Sequence, residues 1–99
     1  MMKNVKIKNQ DYSTPISAEL SDFLRRYTNS TDWAETCIKT KVGTSTIRDL
    51  IYRTNSLTKR NSKAIIHLIE IAKKRASEIA FQAKEDMKKS KQFILVENE

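Results

Sequence analysis

The chain has one glycine, one proline and one cysteine among its 99 residues. Sandwiches and barrels need glycine and proline at every reversal, so their scarcity points to helices and to a mainly α fold. Cys37 has no second cysteine to pair with, which removes any intramolecular disulfide and any sign of an oxidising compartment. No apolar run approaches the roughly 20 residues needed to span a bilayer. The opening MMKNVKIKNQ lacks the apolar core of a signal peptide, so the expectation is a cytoplasmic protein with no membrane partner.

Groups that do chemistry are equally sparse. His67 is the single histidine and Cys37 the single thiol, so a nucleophile–base pair would require the two to meet from different helices. One imidazole and one thiolate fill half of a tetrahedral metal site, and no carboxylate stands at a spacing that would complete it. There is no glycine-rich phosphate loop. The expectation is therefore a non-enzyme with no catalytic residues, no metal, no cofactor and no evident small-molecule effector.

Cationic side chains are what the sequence has in excess, and they are unevenly placed. The formal charge is +7; residues 1–35 carry five basic and five acidic side chains, 36–63 seven and one, and 64–99 seven and six. Nearly all the excess falls on the middle stretch, as a footprint on a polyanion would require. A length of 99 residues suits a single domain with a modest core.

Taken in order, residues 1–13 read as a basic arm or a short strand, with Val5 and Ile7 alternating between lysines. Thr14-Pro15 predicts the start of a first helix over about 15–28, with Ile16, Leu20, Phe23, Leu24 and Tyr27 at helical spacing. Arg25 and Arg26 suit the negative pole of its dipole and read as end charges. A second helix is expected from about Asp32 to Thr40, with Trp33, Ala34, Cys37 and Ile38 as its apolar stripe. After a turn at 41–43 comes a third, about 44–54, with Ile47, Leu50, Ile51 and Thr54 on one side and Ser45, Arg48, Asp49 and Tyr52 on the other. Leu57 reads as a plug returning to the core, and a long fourth helix opens at Asn61 or Ser62.

Beyond residue 72 the apolar spacing 65–69–72–76–79–83 alternates four and three, like a short heptad seam rich in alanine. It reads equally as a dimer contact or as a solvated helix packed on its own domain. The run Gln92–Val96 looks like a terminal strand, whose partner would be Val5–Ile7 or a second copy. The organisation expected is an arm at 1–13, a domain over 14–72, and a helical extension with a terminal strand over 73–99 that supplies a homodimer contact.

Two helices joined by a tight turn, with Cys37, Lys41, Val42, Gly43-Thr44-Ser45, Thr46, Ile47 and Leu50 in order, resemble the helix-turn-helix of the lambda-repressor-like superfamily. That superfamily includes the Cro/repressor and LacI-type DNA-binding headpieces. The downstream Leu57-Thr58, Asn61, Ile65 and Leu68 extend the similarity, so that it covers about residues 33–72. The family turn carries glycine where this chain has Lys41, so Lys41 is expected to be strained unless Gly43 shifts the turn. The resemblance implies a four- to five-helix domain that binds double-stranded DNA, with the helix at 44–54 in the major groove. By position it makes Thr44, Ser45, Arg48 and Asp49 the base readers, and Lys39, Lys41, Tyr52, Arg53, Lys59, Arg60 and Lys63 the phosphate contacts. The function implied is a small bacterial or phage transcriptional regulator, such as a repressor, dimeric on a two-fold site. The alternatives are a helical protein-binding adaptor or inhibitor, and an accessory factor that binds DNA without sequence choice.

Overall fold

The computed structural model describes residues 12–97, with side chains through Ser90. Among the described residues there are four helices and no strand: α1 (Ala18–Tyr27), α2 (Ser30–Thr40), α3 (Thr44–Ile51) and α4 (Ser62–Glu97). No helix among them is long and apolar enough to cross a membrane.

The core is built from one stripe of each of α1, α3 and α4. Leu24, Ile47, Leu50, Ile51, Ile65 and Leu68 are fully buried, and Ile16, Val42, Leu57, Ile69 and Ala72 close the cluster around them. Each such leucine or isoleucine contributes about 1.5–3 kcal/mol by leaving water. Leu57 is the expected plug. Its backbone also bonds the chain entering α1: Ser13 N–H donates to the Leu57 carbonyl at 2.8 Å, and Leu57 N–H to the Thr14 carbonyl at 2.9 Å.

Those bonds explain why α1 begins later than Thr14-Pro15 predicts. After a turn at 12–13, residues 15–17 stay out of the helix so that Ile16 can be buried, and Ser17, in extended conformation, becomes the N-cap, its hydroxyl accepting from Leu20 N–H at 3.1 Å. At the next junction Asn29 and Asp32 form a reciprocal capping box, which starts α2 two residues before the expected Asp32. A second reciprocal pair, Thr58 with Asn61, opens α4.

The stripe of α2 differs from the expected one. Asp32 and Thr36 are buried and Trp33 and Cys37 half-buried, while Ala34 is exposed and Ile38 is 78% exposed. The cause is an ion pair from α4. Arg75 reaches the Asp32 carboxylate with both terminal nitrogens, at 2.5 and 3.1 Å, and donates to the Tyr27 carbonyl at 2.8 Å. Satisfying that charge turns Asp32 inward, and the Thr36 hydroxyl meets its own need by donating to the Asp32 carbonyl.

One expectation about the C-terminal part fails. Residues 92–96 continue α4 as helix. A strand there would leave its amides unpaired, because no strand is found among the described residues, whereas extending an existing helix pairs each new amide at no nucleation cost. The other proposed strand, Val5–Ile7, and the basic arm lie outside the described residues. The seam is covered only along its first part: Ile65 and Ala72 are buried, but Ile79 is 52% and Met87 68% exposed. The far half of α4 extends away from the helical unit, giving principal extents of 62 × 25 × 19 Å.

Candidate nucleic-acid interface

Helix α3 separates its two faces sharply. Ile47, Leu50 and Ile51 are fully buried, while Thr44, Ser45, Arg48 and Tyr52 are exposed and Asp49 half-exposed. The helix ends at Ile51 rather than at 54, because the chain reverses there: Arg53 N–H bonds the Leu50 carbonyl and Thr54 N–H the Asp49 carbonyl. This is a Schellman ending, whose left-handed position is usually glycine. Here Arg53 holds it at φ 64°, and its Nε donates to the Ile16 carbonyl at 2.8 Å. Thr54, expected on the buried side, is exposed and donates its hydroxyl to the Asp49 carbonyl.

The start of α3 is different in kind. Gly43 is its N-cap with no side-chain bond to the first amides, and a Cβ at Gly43 would meet nothing within 4 Å. The strained residue of the turn is Lys41, left-handed at φ 62°, where its N–H caps α2 by bonding the Cys37 carbonyl. Gly43 sits at φ −60° and so relieves nothing.

The charged side chains gather around these two ends. Lys41 and Arg60 line a cleft at the start of α3 together with Gly43, Thr46 and Thr58. Lys39, Lys41 and Lys63 line a second groove, between α2 and α4, that also holds Ile66, His67 and Glu70. Lys59 is exposed and lines neither. Arg48 stands 3.7 Å from the Asp49 carboxylate, an ion pair beyond hydrogen-bond reach with both side chains about half exposed. Such a contact is worth little in water and leaves the guanidinium available.

The sequence reading missed one contributor. Arg25 of α1, assigned as an end charge, has its guanidinium carbon 5.6 Å from the centre of the Tyr52 ring. Trp33 meets the same ring edge-on, with centroids 6.5 Å apart, while its indole N–H donates to the Thr28 hydroxyl. Neither contact has a periodicity signal, since three separate helices supply the parts.

Among the described residues Asp32 is the one carboxylate with a clear electrostatic shift. The hydrogen bonds from Arg75 hold it below the ordinary carboxylate value, outweighing the opposing effect of burial, and they raise Arg75 in turn. That pair secures the frame behind α2. Among the described residues no three or more of His, Cys, Asp and Glu gather where they could hold a metal ion. Compared with protein-family models, with curated proteins and with solved structures, the chain gives no match.

Proposed function

We propose that this chain is a sequence-specific double-stranded DNA-binding protein, a small bacterial or phage transcriptional regulator of the helix-turn-helix kind. Helices α2 and α3 with the 41–43 turn form the reading unit, and α3 enters the major groove. The observation that carries the reading is the exposed face of α3, with Ser45, Arg48 and Tyr52 standing clear of a core that swallows Ile47, Leu50 and Ile51 whole. In that role Arg48 pairs with a guanine edge, Thr44 and Ser45 contact neighbouring bases, and Asp49 accepts from cytosine or orients Arg48. Lys39, Lys41, Tyr52, Arg53, Lys59, Arg60 and Lys63 hold phosphates and set affinity rather than sequence.

A unit this small covers few base pairs, so the regulator acts as a dimer with half-sites about 34 Å apart or a multiple of it. The far half of α4 supplies the contact, since Ile79 and Met87 of its apolar stripe are exposed there. The protein acts by occupancy in the cytoplasm, without catalysis. Selection of bound duplexes from a random pool tests the reading: a recovered motif with two-fold symmetry is expected. Duplex retention with no enriched motif would favour an accessory factor, and absence of salt-sensitive retention would favour a protein-binding adaptor.

A further inference from the structure

We propose that Arg25, with Tyr52 and Arg53, forms a phosphodiester-binding cleft at the C-terminal end of α3, which carries the DNA footprint onto α1. This inference rests on the reading of α3 as a duplex-facing helix. The cleft is lined by Ala18, Ser21, Asp22, Arg25, Tyr52 and Arg53. It brings two guanidinium groups and a phenol together with a single carboxylate, Asp22, which is paired with Arg25.

Its walls are fixed. The buried Ser21 hydroxyl donates to the Ile51 carbonyl at 2.6 Å, tying α1 to the last residue of α3, and Arg53 is anchored on Ile16 as described. The Tyr52 ring meets both the Arg25 guanidinium and, at a near-perpendicular angle, the Trp33 ring. Arginine suits such a position because its planar fork matches the geometry of phosphate oxygens.

Placement supplies the second line of argument. The cleft at the start of α3 offers Lys41 and Arg60, and this one offers Arg25 and Arg53 at the other end. The eight residues between them, at 1.5 Å each, span about 12 Å. A helix seated in the groove with cations at both ends can be held at two places along the backbone, and Arg25 becomes a determinant of docking angle rather than a helix-end charge.

The test is the salt dependence of binding to a short random-sequence duplex, measured by fluorescence anisotropy for the wild-type chain, Arg25→Gln and Asp22→Asn. Losing one phosphate contact should lower the log–log salt slope of Arg25→Gln by about 0.9, with several-fold weaker binding at low salt. Asp22→Asn should bind several-fold tighter, a gain that misfolding does not produce. An unchanged slope in Arg25→Gln overturns the cleft and leaves the α3 reading standing; absence of duplex binding by the wild-type chain overturns both.

Discussion

Ile65 and Ile79 lie on the same stripe of the same helix, fourteen residues apart, yet Ile65 is fully buried and Ile79 half exposed. Up to Arg75, α4 is a wall of the core and its apolar face meets α1, α2 and α3. Past that point the stripe continues through a half-buried Ala76 to Ile79, Ala83 and Met87, all three exposed. Only local pairs remain there, such as Gln82 with Asp86 at 3.0 Å and Lys88 with Glu85 at 3.5 Å. The difference teaches that helical period records which face of a helix is apolar, while burial depends on what else reaches that face.

The contrast breaks most readily by truncating one residue from each half. Leu68→Ala should lose about 2–5 kcal/mol of unfolding free energy in urea, because it empties a closed core. Met87→Ala should stay within about 0.5 kcal/mol at dilute concentration; comparable losses would show that both halves are packed. A larger loss for Met87→Ala that grows with protein concentration would place a second copy on the stripe.

The boundary between the halves is the Arg75–Asp32 pair, so its removal comes next in size. The folded carboxylate titrates below its unfolded value of about 3.9. Its contribution is therefore complete above that value and disappears as pH falls through the lower folded one. The melting temperature of the wild-type chain should drop steeply on acidifying below pH of about 4, whereas Asp32→Asn should start lower and fall less steeply. Identical acid limbs would remove the pair from the account.

Smaller effects sharpen the picture at α3. Lys41→Gly should stabilise the fold by about 1 kcal/mol, since glycine occupies the left-handed position without strain, while duplex affinity drops. A stabilised protein with unaltered binding would mean that Lys41 touches no phosphate. Gly43→Asp should add a few tenths of a kcal/mol by capping α3, and weaken duplex binding by setting a carboxylate where the helix start meets the backbone.

Much of the fold was legible in the residues. The positions of α1, α3 and the start of α4 follow from Leu24, Ile47, Leu50, Ile51, Ile65 and Leu68, all at helical spacing and all buried. The rotation of α2 was hidden, because it depends on Asp32 meeting Arg75, forty-three residues away, and the apolar Ile38 pointed to the other face. The terminal strand misled for a related reason. A continuous apolar run suits helix and strand alike, and nothing within the run itself decides between them. At the candidate interface, the exposed face of α3 could be read from period alone. The approach of Arg25 to Tyr52 could not, being the product of packing α1 against α3.

The central claim is that the exposed face of α3 reads base edges, and Arg48 is its most direct probe. Binding of wild-type and Arg48→Ala chains should be compared on the duplex motif recovered from a random pool and on a scrambled duplex of equal length and salt. A loss of about 1–3 kcal/mol is expected on the selected motif and almost none on the scrambled one. Equal losses on both would contradict it, reducing Arg48 to one more phosphate contact.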